Sequence, residues 1–154
     1  MMLATMEVKI LKPEFADKIL KRGTQESAGY DLICATDEPV SIRNGEPATL
    51  IPTGFACDIS NGGNIAGLIL PRSGLGHKQG LVLGNSIGLI DGDYQNQWFI
   101  SAWNRGQQDE IVIKPGDRIA QVIFVPVYHP DFLFVDEFVS VTERGQGGFG
   151  STGS

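Results

Sequence analysis

The last eleven residues of the chain combine a backbone that cannot fold alone with side chains that could hold a ligand. Glycine fills five of the nine positions from 145 to 153, which argues against a helix or a packed strand there. The same stretch carries Arg144, Phe149, Ser151 and Thr152. A guanidinium pairs with phosphate, an aromatic ring covers a flat base, and hydroxyls donate to phosphate oxygens. The composition favours a lid that orders over a nucleotide, and the alternative is a disordered terminus without function.

Two segments nearer the start place polar groups where a strand connection does not need them. Asp31 is a lone acid inside the otherwise apolar stretch Ser27–Leu32. Arg72, Ser73 and Gly74 follow a strand-like run and offer a guanidinium, a hydroxyl and flexible backbone amides together. Such a group can form a nest for phosphate oxygens, and an ordinary turn explains the same residues about as well.

Two later segments have the same character. Asp91 and Tyr94 stand around a glycine-containing tight turn, where an Asp beside Gly is most often a turn former. Arg118 and Gln121 stand at the mouth of a buried strand, where an arginine commonly pairs with an acid such as Asp117. Each segment, taken singly, is compatible with a purely structural role.

The composition limits the classes of function. The chain has 154 residues, enough for one domain with a buried core, and its 20 glycines favour a turn-rich β protein. A net charge of −6 argues against a bulk electrostatic grip on a nucleic-acid polymer. Cys34 and Cys57 lack CxxC spacing and are expected to be buried free thiols of a reducing compartment. His77 and His129 stand apart from other ligand-type residues, so no zinc site is predicted.

Neither a signal peptide nor an apolar run of transmembrane length is evident, so the sequence predicts a cytoplasmic protein without membrane contact.

The elements that must position these residues are short β-strands separated by turns such as Asn44-Gly45 and Lys114–Asp117. The predicted strands are Val8–Leu11, Thr49–Ile59, Asn64–Leu70, Gln97–Trp103, Glu110–Ile113, Ile119–Val127 and Phe132–Val139. Helical spacing is weak throughout, and Pro13–Lys21 is the best helix candidate. The pattern indicates a single all-β domain, as a sandwich, jelly roll or small barrel, with a free tail.

Five motifs occur in a fixed order along the chain. They read AGYDL at 28–32, PRSGLG at 71–76, GLIDGDY at 88–94, RIAQ at 118–121 and RGQGGFGSTG at 144–153. Together they resemble the five motifs of the homotrimeric deoxyuridine triphosphatases (dUTPases). The resemblance runs from about Val8 to Gly153, and the linking stretch 76–85 resembles bacterial members in particular.

The resemblance implies hydrolysis of dUTP to dUMP and pyrophosphate with Mg²⁺ on the triphosphate. Asp91 matches the general base that activates the water attacking the α-phosphorus. Asp31 matches the acid that holds magnesium through its bound waters. The phosphate-binding residues implied are Arg72, Ser73, Gly74 and Gln121.

Uracil is expected to be read by the hairpin from Leu83 to Tyr94, through backbone groups and the Asn85 side chain. Leu89 and Ile90 belong to the substrate-binding residues of this hairpin. Tyr94 is expected against the deoxyribose, and Phe99 matches a substrate-contacting position of bacterial relatives. In the tail, the residues implied to close over the substrate are Arg144 at the γ-phosphate, Phe149 on uracil, and Gly150, Ser151 and Thr152 at the phosphates.

The family architecture implies a jelly-roll-like β barrel at 1–143, of the dUTPase or β-clip type, and a mobile C-terminal lid at 144–154. It further implies a homotrimer in which each active site takes pieces from all three subunits. Two alternatives stay open: a dCTP deaminase-related enzyme, which would need an added acid–base glutamate in the base pocket, and a non-catalytic trimer that binds nucleotide and regulates a partner.

Overall fold

The computed structural model describes residues 5–60 and 64–143, together with residues 145 and 147. Its strands are β1 Glu7–Ile10, β2 Tyr30–Ile33, β3 Val40–Arg43, β4 Thr49–Asp58, β5 Ile65–Pro71, β6 Leu81–Leu83, β7 Gly88–Ile90, β8 Gln97–Asn104, β9 Glu110–Ile113 and β10 Arg118–Pro126. A 3-10 turn spans Pro13–Phe15, and the short helix α1 spans Ser73–Lys78.

The strands form two four-stranded sheets in the orders β1-β4-β8-β6 and β2-β10-β5-β7, beside a two-stranded sheet of β3 and β9. The pairings are antiparallel. β8 alternates buried and more exposed residues, which is the period-2 pattern of a strand with one face on the core. The all-β fold class predicted from the sequence is confirmed.

An aromatic cluster fills the core between the two large sheets. The Trp98 ring on β8 lies 5.1 Å from the Phe55 ring on β4 and 6.4 Å from the Phe124 ring on β10, centroid to centroid. Trp98 and Phe55 are both almost fully buried. These contacts join the sheets face to face, since β8 and β10 belong to different sheets.

Most predicted strands are confirmed to within two residues at their ends, and one is wrong. Residues 132–139 have no strand, and the side chains of Phe132, Phe134 and Phe138 are at least 79% exposed. No strand lies beside this apolar segment within the described part of the chain, so its backbone lacks a pairing partner. The predicted helix over Pro13–Lys21 is also wrong beyond its first turn, because the 3-10 segment gives way to turns after Phe15.

Four short strands and α1 were not expected. β2, β3, β6 and β7 have three or four residues each, too few for a clear hydrophobic period. Among the residues described, no helix is long and apolar enough to span a membrane.

Candidate functional site

Three motifs meet at one end of the second sheet, around the carboxylate of Asp31. The Asp31 side chain is 11% exposed, and its Oδ1 lies 3.1 Å from Nε of Arg72. Its Oδ2 accepts a hydrogen bond from Nη1 of Arg118, also at 3.1 Å. Strand register explains the meeting, because β10 pairs with both β2 and β5 and places Gln121 opposite Asp31. A sheltered carboxylate with two guanidinium partners can hold both cations in place beside an incoming anion.

The expected partner of Arg118 was wrong. Asp117 instead closes its own turn, where its Oδ2 accepts a hydrogen bond from the Lys114 N–H at 2.8 Å. Gly116 provides the positive φ of 83° that this turn requires. Arg118 is therefore available to Asp31, and sequence reasoning did not place it among the site residues.

A cavity of about 230 Å³ opens over this cluster. The predicted residues Asp31, Arg72, Ser73, Gly74 and Gln121 all line it. Ser73 and Gly74 begin α1, and the N–H groups in the first turn of a helix have no partners within the helix. Guanidinium groups, a hydroxyl and such amides together suit phosphate oxygens. The structure therefore brings together the phosphate-binding residues that the sequence predicted.

Close packing fixes the Gln121 side chain at the edge of this cavity. Its Nε2 donates to the Pro71 carbonyl at 3.1 Å. A methyl group in place of the Gly29 hydrogen would lie 2.8 Å from Gln121 Oε1, so the Gln121 amide would have to move to accommodate it. Gly29, together with Gly23 and Ser27, also lines the cavity. No sequence pattern indicates the contact between Gly29 and Gln121, because that contact depends on strand register.

Asp91 lies in a second and larger cavity of about 660 Å³. It directly follows β7, and its carbonyl accepts a hydrogen bond from the Tyr94 N–H at 3.2 Å. Ser60, Asp93 and His129 share the lining. The Tyr94 hydroxyl donates to the Gln97 carbonyl at 2.9 Å, which fixes the ring against the start of β8. Asp91 thus forms a turn, as an Asp beside a Gly was expected to do, and it is also exposed at the wall of a cavity.

The predicted hairpin from Leu83 to Tyr94 is wrong as a hairpin, because β6 pairs with β8 and β7 pairs with β5, in different sheets. Residues 84–87 connect β6 to β7. Asn85 is exposed, and its carbonyl accepts a hydrogen bond from the Ile87 N–H at 2.7 Å. Leu89 is 61% exposed, whereas the Ile90 side chain is buried in the core and can offer a ligand only its backbone. Phe99 points to the outer face of β8, opposite Pro52, and lines neither cavity.

The two cavities lie at opposite ends of β5. Pairing of Gly67 with Ile90 places Asp91 beside Ala66, while Arg72 follows the other end of the strand. Six residues of extended chain separate these positions, which corresponds to about 20 Å at roughly 3.3 Å per residue. One chain therefore does not bring Asp91 together with the Asp31 cluster.

The tail residues Arg144, Phe149, Gly150, Ser151 and Thr152 lie outside the described residues. Within the described ones, no group of three His, Cys, Asp or Glu side chains is arranged to hold a metal ion directly. Both cysteines are free and buried, as predicted. Burial, assisted by the neighbouring Asp58, raises the pKa of Cys57 to about 11, so this thiol stays protonated at neutral pH.

Comparison with known proteins decides the family. A family model described as dUTPase matches residues 16–153. The chain belongs to the dUTPase family. The deoxyuridine 5'-triphosphate nucleotidohydrolase of Chromobacterium violaceum is 51% identical over 152 residues, which cover 99% of both chains. The enzyme of the same name from Pectobacterium carotovorum is 50% identical over 154 residues, with 99% of each chain covered.

Solved structures support the same family and fold. The Staphylococcus bacteriophage 80alpha dUTPase with dUpNHpp matches with a TM-score of 0.79 at 30% identity, over 97% of this chain and 99% of that one. A mutant of the same phage enzyme matches with a TM-score of 0.83 at 30% identity and the same coverage. The resemblance to bacterial dUTPases and the jelly-roll-like β fold expected from it are confirmed.

Proposed function

We propose that this protein hydrolyses dUTP to dUMP and pyrophosphate. The names of its bacterial relatives support this substrate, and the phage relative binds dUpNHpp. The single observation that carries the proposal is the Asp31 cluster, where two arginines, Ser73, Gly74 and Gln121 face one cavity at a strand end. Such chemistry suits the triphosphate of a nucleotide. The reaction keeps uracil out of DNA and supplies dUMP for thymidylate synthesis, in the cytoplasm.

Catalysis requires the two cavities to meet across copies of the chain. Because about 20 Å of β5 separates Asp91 from Arg72, a second copy must supply the base to the first copy's phosphate cavity. A homotrimer with shared sites satisfies this requirement. Exposed apolar side chains offer surface for it, among them Leu50, Phe99 and Trp103 on one sheet face and Phe132 and Phe134 beyond β10.

Asp91 acts as the general base in this scheme. Its carboxylate takes a proton from a water molecule whose oxygen bonds to the α-phosphorus. The bond from that phosphorus to the bridging oxygen breaks, and pyrophosphate leaves with the electron pair. In-line attack needs placement more than covalent chemistry. A carboxylate at the start of a hydrogen-bonded turn is suited to hold one water molecule in place.

The Asp31 cluster binds the phosphates and stabilises their charge. Arg72 and Arg118 supply the cationic charge, Ser73 and Gln121 supply hydrogen-bond donors, and Gly74 allows close approach of the backbone. Each Asp31 oxygen has one guanidinium partner and keeps a further lone pair for the water shell of Mg²⁺, so the residues fit outer-sphere binding. When bound, magnesium neutralises charge on the triphosphate.

Base and sugar selection belong to the segment 83–94. Asn85 and backbone groups read uracil, including those of Leu89 and Ile90, and a cytosine would leave a buried donor or acceptor without a partner. The Tyr94 ring is held by its hydroxyl on Gln97 and leaves no room for a ribose 2′-OH. Phe99 reaches the substrate bound by a neighbouring copy. The tail completes the site, with Arg144 at the γ-phosphate, Phe149 on uracil and residues 150–152 over the phosphates.

A dCTP deaminase is the alternative enzyme, and residues 88–94 do not favour it. Residues 88–94 contain no glutamate that could serve as its acid–base group.

The test of the proposed function measures pyrophosphate release from dUTP, dCTP, dTTP and UTP, together with deamination of dCTP. We expect pyrophosphate release from dUTP alone, reduced about 100-fold or more in Asp91→Asn, which keeps the size of the side chain but not its basicity. Binding without turnover in the wild-type protein would favour a regulatory trimer instead.

A further inference from the structure

Asp58 collects three hydrogen bonds from two segments that border the Asp91 cavity. Its Oδ1 accepts from the Ser60 N–H at 2.9 Å and from the Ser60 hydroxyl at 2.6 Å. Its Oδ2 accepts from Nε2 of Gln95 at 2.7 Å. Ser60 lines the cavity, and Gln95 belongs to the loop between β7 and β8 that begins with Asp91. One carboxylate at the end of β4 thus joins both edges of this cavity.

Among the described residues, the other hydrogen bonds of the loop that carries Asp91 and Tyr94 are local. Tyr94 donates its N–H to the Asp91 carbonyl and its hydroxyl to the Gln97 carbonyl, all within seven positions. These bonds shape the turn and attach the Tyr94 ring to the start of β8, the strand that directly follows the loop. The bond from Gln95 to Asp58 spans 37 positions and reaches β4. Ala56 on β4 pairs with Gln97 on β8, at the end of these two strands. The bond between Asp58 and Gln95 lies just beyond this pair and attaches the loop to β4.

We propose that Asp58 is a positioning residue, which holds the 91–96 loop so that Asp91 and Tyr94 keep their places against the substrate. This role rests on the proposed function of Asp91 as the base and of Tyr94 as the sugar-selecting ring. Asp58 touches neither the substrate nor the reacting atoms. It acts through Gln95 and Ser60.

The chemistry of a carboxylate suits this role. An ionised carboxylate accepts several hydrogen bonds at once, and charge-assisted bonds are stronger than neutral ones. The Ser60 side chain, then the Ser60 backbone, and more weakly Gln95 lower the pKa of Asp58, so that it stays an acceptor on both oxygens at neutral pH. The bonds lie at an exposed surface, where they contribute little to global stability. Their main effect is therefore on placement of the loop, to which reaction rates are sensitive.

Two substitutions remove the same bond from opposite sides. We expect Asp58→Ala and Gln95→Leu each to lower kcat for dUTP about tenfold, and to lower the kcat/KM preference for dUTP over UTP severalfold, because one loop carries base and ring. Unfolding temperatures should change by about 2 °C or less. The double variant should be no worse than Asp58→Ala alone, since that variant has already lost the bond to Gln95.

Two further variants separate positioning from a general surface effect. Asp37→Ala removes another exposed carboxylate, which pairs with Lys12 away from this loop, and should keep wild-type kinetics. Asp58→Asn can still accept from Ser60 and can donate to Gln95 once the Gln95 amide turns over, so its kcat should recover to within about threefold of wild type.

The proposal is overturned if Asp58→Ala keeps the wild-type kcat and nucleotide preference, or if its loss of kcat merely matches a loss of folded protein. Asp91→Asn is measured beside it. Loss of turnover in Asp91→Asn with none in Asp58→Ala rejects the positioning role alone. Retained turnover in Asp91→Asn rejects instead the assignment of Asp91 as the base. In that case the preference of Asp58→Ala for dUTP over UTP still tests whether Asp58 holds Tyr94 in place.

Discussion

Oδ1 of Asp31 lies 3.1 Å from Nε of Arg72, and this ion pair joins two motifs that stand 41 positions apart in the sequence. The Asp31 side chain is only 11% exposed, and a sheltered carboxylate of this kind needs hydrogen-bonding cationic partners. Arg72 and Arg118 are these partners, and both line the cavity, where Arg72 Nη1 also donates to the Arg118 carbonyl at 3.2 Å. Asp31 therefore holds both guanidinium groups, which we propose bind phosphate, in place in the free protein.

The position of Asp31 between two guanidinium groups predicts how magnesium binds. Since nearby cations repel Mg²⁺, the ion should bind weakly to the free protein and tightly only with a triphosphate. In calorimetry, magnesium should strengthen dUpNHpp binding to the wild-type protein and should do so far less in Asp31→Asn. Equal strengthening in both proteins would show that Asp31 does not hold the ion.

Tyr94 predicts the choice of sugar. Tyr94→Ala removes the ring that packs against the 2′ position, so the ratio of kcat/KM for dUTP to that for UTP should fall about tenfold. Tyr94→Phe is the matched control, because it keeps the ring and loses only the hydroxyl bond to Gln97. An unchanged ratio in Tyr94→Ala would assign the ring a structural role.

The close contact between Gly29 and Gln121 predicts that a larger residue at position 29 weakens phosphate binding. Gly29→Ala places a methyl group 2.8 Å from Gln121 Oε1 and should displace that side chain from the Pro71 carbonyl. We expect the KM for dUTP to rise severalfold and stability to fall by about 1 kcal/mol. Gly76→Ala is the control, since its added methyl meets only ordinary contacts from 3.7 Å outward. A KM for Gly29→Ala equal to that of Gly76→Ala would contradict this reading of the contact.

Deletion of the tail is predicted to affect activity far more than stability. Deletion of residues 144–154 should leave the unfolding temperature without ligand almost unchanged, because a glycine-rich terminus adds little to a core. Activity should nonetheless collapse, since we propose that Arg144 and the Ser151 and Thr152 hydroxyls complete the phosphate site. Phe149→Trp should change its fluorescence when dUpNHpp binds, as an indole stacks on uracil. Normal turnover of the truncated enzyme would return the tail to a terminus without function.

Sequence patterns predicted the long strands because their apolar residues repeat clearly, whereas the residues of the Asp31 cavity were implied by the resemblance of five ordered motifs to those of the dUTPases. They did not predict the strand register, which selects Asp31 rather than Asp117 as the partner of Arg118 and places Gly29 on Gln121. They also suggested a strand over Phe132–Val139 from composition, where the described chain has no partner strand. Pairing information is carried by tertiary contacts, and a local period cannot supply it.

The most direct measurement mixes two inactive variants. Asp91→Asn keeps the phosphate cavity, and Arg72→Ala keeps the base, so neither protein alone should turn over dUTP. When equal amounts are refolded together, roughly three trimers in four contain both chains, and each of these has about one complete site in three. We predict recovery of about one quarter of wild-type pyrophosphate release. A mixture no more active than the separate variants would contradict a site shared between copies of the chain.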